Sequence, residues 1–208
     1  METVKFTEMA DGDREDYVFL EQHERAAAAD VGRRLIGLLE ELDDTPSAYK
    51  VSRYEHCLQA ATRAYRDGAD EDWVVSALFH DVGDLYAPYN HDEFVASILR
   101  PYVREQCTWV VANHGLFQRY YYAHHFGGNR EVRKRHEGHA FYEDCVIFCE
   151  RWDQKSFDPN YESLPLDVFR PMIDQVFSRD PYQPQVVATG ERRPLVDRAV
   201  AEKRQQAA

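Results

Sequence analysis

A chain of 208 residues, 44 % of them apolar, is long enough to bury one core and short for two, so a single domain is expected. Its net charge of -12 argues against nucleic acid and anionic membrane as partners, while leaving room for a small anion held by local charges. No apolar run approaches membrane-spanning length and the N-terminus lacks a basic-then-apolar leader pattern, which predicts a soluble, cytoplasmic protein.

In chain order, residues 1–16 mix charges with Gly12 and show no period, and are read as a flexible arm. Residues 17–42 place Val31, Leu35, Leu38, Leu39 and Leu42 on one helical stripe, a packing helix broken by Asp43-Asp44-Thr45-Pro46-Ser47. A second helix, 52–66, carries His56 near its start and closes at Asp67-Gly68. The helix opened by Asp70 or Glu71 is apolar and ends in His80-Asp81, with both polar heads directed inward. A buried carboxylate must be neutralised, paired or bound to metal. For the dipeptide alone, a histidine-aspartate hydrogen bond capping a core helix explains the pattern equally well.

Further histidines decide between these readings. Asn90 is the expected N-cap of a helix whose first turn carries His91. Beyond Pro101, Val103, Cys107, Val110, Val111 and His114 share a stripe that places His114 toward the core, just before Gly115. Residues 116–128 form an aromatic connector, both a packed lid and a substrate wall in prospect, since tyrosine faces attract cations. From His139 a helix presents Tyr142, Val146, Cys149 and Asp153, placing another carboxylate at the end of an apolar face. A helix over 166–177 covers the site and the polar tail, 183–208, is expected to fray. The four cysteines show no CxxC spacing and are read as reduced core residues, with a weaker metal reading for Cys145 and Cys149. The predicted architecture is an all-α bundle over residues 17–182 with a metal centre in its core.

The order His56, His80-Asp81, His91, His114, Asp153 resembles the HD-domain superfamily, in which such residues from separate helices converge on one or two metals. Four histidines and two carboxylates, without thiolate, suit iron, manganese or zinc. Asp81 is the natural bridge, with His56, His80 and Asp153 on one metal and His91 and His114 on the other. The phrases HDVGDLYAPYNH, ILRPYV, NHGLFQRYYYAHHFGG and SFDPNYESLPLDVFRPM, spread over residues 52–182, resemble one branch, the mixed-valent di-iron phosphonate oxygenases, distant relatives of myo-inositol oxygenase. The similarity is greatest to members acting on (R)-1-hydroxy-2-trimethylaminoethylphosphonate.

That resemblance implies an Fe(II)/Fe(III) pair, dioxygen as co-substrate, oxidative C–P cleavage to glycine betaine and phosphate, and an upstream hydroxylase that makes the 1-hydroxyphosphonate. Asp81 and Asp84 are then the candidate catalytic carboxylates, Asp84 standing where many HD proteins have a second histidine. Where the free-amine relative has a tyrosine and a glutamate, this chain has Pro46 and Tyr49, a change that favours a methylated ammonium, with Asp84 as compensating charge. Gln118 replaces that relative's lysine, leaving His124, His125, Arg130 and Lys155 as candidate phosphonate-binding cations, beside Tyr121 and Tyr122 in the substrate loop. The competing readings are a metal-dependent phosphohydrolase, which uses the same ligands to activate water, and a non-catalytic HD sensing module, which predicts lost ligands.

Overall fold

The computed structural model describes residues 3–44 and 47–207, which places the sequence's Thr45-Pro46 break outside the described residues. Helices form because the sequence supplies their starts. Asp13 and Asp16 make a reciprocal capping box for α1 (Arg14–Ala28). The Ser52 hydroxyl accepts from the Glu55 amide at 3.1 Å to start α3 (Arg53–Arg66), and the Asp70 carboxylate accepts from the Trp73 amide at 3.2 Å to start α4 (Glu71–Phe79). Between them lies α2 (Val31–Glu41). The chain continues through α5 (His91–Leu99), α6 (Glu105–Tyr122), α7 (Tyr142–Phe148), α8 (Leu166–Phe177), α9 (Pro184–Val187) and α10 (Arg198–Ala207), with no strand among the described residues. The all-α bundle expected from the sequence is the fold observed.

The centre of the bundle is α4. Every residue from Asp72 to Phe79 is buried, so this helix is enclosed on all sides, with α3, α6 and α8 packed around it. Trp73, Phe148 and Trp152 meet edge-on or tilted, with ring centroids 5.6 to 6.4 Å apart, and fill the space between α4 and the segment carrying Asp153.

Several sequence expectations change in register or extent. The single helix expected over 17–42 is two helices that turn at Ala29 and Asp30. The physical reason is that α1 buries only Asp16 whereas α2 buries Leu35, Ile36 and Leu39. Breaking the helix lets the apolar stripe of α2 approach the core at its own angle. Asn90 occupies the N-cap position of α5 but its side chain makes no capping hydrogen bond.

Gly115 does not stop its helix, since α6 runs on to Tyr122 and takes in the first seven residues of the expected connector. Its lack of a side chain serves close approach instead. A Cβ there would stand 3.2 Å from Asp92 Oδ2, on the first turn of α5. The expected helix from His139 begins at Tyr142 and changes after Phe148 into a π-helical turn, Cys149–Asp153, which shifts the phase of the last residues.

The two ends are more attached than their composition indicates. The Lys5 amide donates to Asp16 Oδ1 at 3.0 Å. The tail expected to fray returns to the body: Leu195 is buried, Arg192 pairs with Asp144 at 2.7 Å, and Arg204 donates to the carbonyls of Tyr65 and Ala69 at 2.8 and 3.0 Å. These carbonyls lie in the last turn of α3 and in the link to α4, so a basic residue from the last helix ties the tail to the point where the two helices meet. Gly68 makes that docking feasible, with φ of 79° and a missing Cβ that would lie 2.0 Å from the Asp197 carbonyl oxygen. Gly68→Ala should therefore lower stability by about 2 kcal/mol or more, through strain at positive φ and displacement of α10. Urea denaturation of the variant beside the parent measures this, and an unchanged midpoint would contradict the docking role.

Candidate metal centre

Six side chains from five segments converge at the buried ends of these helices. His56 lies in the first turn of α3, His80 caps the C-terminus of α4 with Asp81 after it, His91 opens α5, His114 sits within α6, and Asp153 ends the π-helical turn. A helix end is useful here because its last carbonyls lack intrahelical partners. His80 Nδ1 donates to one of these, the Ala77 carbonyl, at 2.8 Å. His114 Nδ1 donates to the Val111 carbonyl at 2.7 Å and His56 Nδ1 to the Ser156 carbonyl at 2.9 Å. Each tether keeps a proton on Nδ1 and aims the Nε2 lone pair inward.

The inward atoms form two groups that share Asp81. On one side His56 Nε2 lies 3.1 Å from His80 Nε2, 3.3 Å from Asp81 Oδ2 and 3.4 Å from Asp153 Oδ1. On the other, His91 Nε2 lies 3.3 Å from His114 Nε2, and the two stand 3.3 and 3.1 Å from Asp81 Oδ1. One carboxylate thus presents one oxygen to each group. Two imidazole lone pairs cannot face each other and a carboxylate this closely without positive charge between them. The buried Asp153 Oδ2 has no hydrogen-bond partner, which adds one more unsatisfied acceptor.

Either protons or metal ions supply that charge. Burial opposes charging of His56 and His114, yet the hydrogen bonds His56 donates to Asp153 and Asp81, the one His114 donates to Asp81, and the charge of both carboxylates outweigh it and hold both histidines up to about 10. Burial likewise works against ionised Asp81 and Asp153, but the facing imidazoles, His80 foremost, hold both below the usual carboxylate range. The donor set of imidazole nitrogens and carboxylate oxygens fits divalent or trivalent first-row metals, and the shared carboxylate makes it the pattern of a binuclear site. Cysteine takes no part: all four thiols are buried, and those of Cys145 and Cys149 donate to the Val110 and His114 carbonyls.

Asp84 sits one layer out. Its Oδ1 stands 3.1 Å from His91 Nδ1, and its Oδ2 is 2.5 Å from Arg53 Nε. Asp84, expected from the sequence as compensating charge for a substrate ammonium, is ion-paired with Arg53 at the cavity wall.

A cavity of about 650 Å³ opens over the cluster. Tyr49, Asp84, Gln118, Tyr121 and Tyr122, expected from the sequence at the substrate, line it. His124, His125, Arg130 and Lys155, expected as its cations, do not. His124 and His125 are exposed on a 3-10 turn with rings 4.0 Å apart, Arg130 lies over the Tyr120 ring at 4.1 Å, and Lys155 is exposed. The extension of α6 to Tyr122 carries His124, His125 and Arg130 beyond the cavity rim, while Phe126 still lines it. Sequence reasoning passed over Arg53 and Phe157, which also line it, whereas Phe126 belongs to the aromatic connector expected as a substrate wall. Arg53 could have been found, since it precedes His56 by three residues and shares its helix face. Phe157 stacks on His56 at 4.4 Å and meets Tyr49 at 4.7 Å, contacts that no local pattern encodes.

The charge balance has a measurable sign. With folded values near 10 against about 6.5 in the unfolded chain, His56 and His114 contribute stability to the metal-stripped protein that is complete below pH 6.5 and lost as pH rises toward 10. The thermal midpoint of stripped protein should fall over that window. Metal loading at pH 8 should release at least two protons, one from each of these histidines, read by calorimetry in buffers of different ionisation enthalpy. Proton-neutral loading would show that these residues are not ligands.

The family model described as HD domain matches residues 53–150, a span that contains His56, His80, Asp81, His91 and His114 and stops three residues short of Asp153. No curated protein matches the chain. HD domains are generally metal-dependent hydrolases or related enzymes, and the clustered donors here are consistent with that class. Residues 53–150 thus match the HD domain, and the chain's histidines and aspartates gather into a potential binuclear metal site at the core of an all-helical bundle.

Proposed function

We propose that this protein is a cytoplasmic di-iron oxygenase that cleaves the carbon–phosphorus bond of a 1-hydroxyphosphonate with dioxygen. The substrate we assign is (R)-1-hydroxy-2-trimethylaminoethylphosphonate, supplied by an upstream hydroxylase and converted to glycine betaine and phosphate. The phrase-level resemblance across residues 52–182 motivates the reaction. The observation that carries it to this substrate is the polarity of the cavity: metal donors form its floor, and Tyr49, Phe157, Tyr121, Tyr122 and Phe126 supply aromatic faces around it. A phosphonate with a quaternary ammonium at its far end matches that division.

Bound iron would supply the redox centre for dioxygen and the Lewis acidity for the substrate hydroxyl and phosphonate oxygens. The chain's own part is to hold and to exclude. Asp81 presents one oxygen to each donor group, and the carbonyl tethers keep His56, His80 and His114 from rotating. Burial pushes the Tyr121 phenol up to about 12, so this ring stays neutral and offers its face and its O–H without charge. A trimethylammonium has no N–H to leave unpaired against such a wall and gains cation–π attraction, whereas a primary ammonium would lose hydrogen bonds to water.

The experiment is anaerobic iron loading followed by oxygen uptake and phosphate release against a panel of 1-hydroxyphosphonates. Phosphate should appear only with dioxygen, and in step with its consumption. Turnover of phosphate esters under strict anaerobiosis, with no oxygen consumed on hydroxyphosphonates, would establish the phosphohydrolase reading instead. Tyr49→Leu and Tyr121→Leu should reduce kcat/KM for the trimethylated substrate by roughly 2- to 30-fold per ring, and by less for the primary amine. Equal losses for both substrates would show that the rings only pack.

A further inference from the structure

We infer that Arg53 is the anchor for the anionic head group of the substrate, held in place by Asp84. The assignment rests on the proposed reading for the identity of that anion, a phosphonate. Among the described residues lining the cavity, Arg53 is the lysine or arginine side chain present, in a protein whose net charge of -12 opposes any anion. A phosphorus oxyanion entering this cavity meets metals on the floor and this guanidinium beside them.

Three features place it for the task. Arg53 and His56 are three residues apart on α3, so the guanidinium rises from the helix face that carries a donor of the first metal group. Its Nε donates to Asp84 Oδ2 at 2.5 Å, while Asp84 Oδ1 stands 3.1 Å from Nδ1 of His91, a donor of the second group. One carboxylate therefore sets the position of the guanidinium relative to the metal donors. The Arg53 side chain is 29 % exposed and Asp84 19 %, so the cation stands at the boundary where an incoming anion sheds its water. Arginine stays charged at every working pH and matches the oxygens of a phosphonate with a planar fork of donors. Asp84 acts through Arg53 and His91, and is a positioning residue.

The test uses methylphosphonate as probe, titrated calorimetrically into zinc-loaded protein, which takes the same donors and supports no oxidation. Arg53→Gln should weaken binding at least tenfold at unchanged metal content, and Arg53→Lys should fall between it and the parent, keeping the charge without the fork. Lys155→Gln should bind as the parent does. In the iron enzyme, Arg53→Lys should raise KM for the hydroxyphosphonate more than it lowers kcat. Parental affinity in Arg53→Gln, or an equal loss in Lys155→Gln, would overturn the assignment. Probe binding needs no turnover, so the two readings fail separately. Absent oxygen uptake by the parent defeats the oxygenase and leaves the anchor, whereas intact probe binding in Arg53→Gln with normal oxygen uptake in the parent defeats the anchor alone.

Discussion

Everything in this fold answers to the convergence of four imidazole Nε2 atoms and two carboxylates on one small volume in the interior of a helical bundle. Left to themselves these groups repel or lose hydration, and a buried carboxylate costs several kcal/mol unless it is matched. The donors call for positive charge between them, and the structure sets backbone carbonyls behind three of the rings. Nδ1 of His56, His80 and His114 each donates outward at 2.7 to 2.9 Å. The orientation of the donors is thus a property of the backbone, and it persists whichever cation occupies the centre.

That requirement explains where the helices end and how closely they approach. α4 stops at Phe79, so the Ala77 carbonyl remains open to the His80 ring. The π-helical turn after α7 delivers Asp153 to the His56 and His80 side of the cluster. Gly115 brings α5 against α6, and with it His91 within 3.3 Å of His114. Irregular backbone and missing side chains concentrate at the donors, while the enclosed apolar body of α4 provides the rigid reference against which they are held.

Around the centre, charge is layered. Asp81 and Asp153 face the inward nitrogens, Asp84 faces His91 on one side and Arg53 on the other, and the cavity wall beyond is aromatic. Under the proposed function a site built this way would separate its tasks: the floor would bind hard oxygen ligands through metal, the guanidinium at its edge would meet an anion, and the rings would accept an apolar or cationic end. Such a division favours a ligand with opposite charges at its two ends over one uniformly anionic.

The ligand set and helical class were legible in the sequence because both rest on short-range patterns. Helical periodicity turns His80, Asp81, His114 and Asp153 toward the core, and a buried polar head needs a partner whatever surrounds it. The end of α2 at Glu41, just before Asp43 and Asp44, was legible too. Only the tertiary structure decided the rest, because it depends on contacts between residues far apart in the chain. Gly115 looks like a stop until Asp92 is seen against it, and the polar tail looks loose until Arg204 is seen on the carbonyls of Tyr65 and Ala69. Arg53 was passed over and Lys155 chosen because proximity in sequence to a ligand does not say which way a side chain turns from the next helix. Pairing Arg53 with Asp84, 31 residues away, is what puts a cation at the cavity, and no local propensity contains that distance.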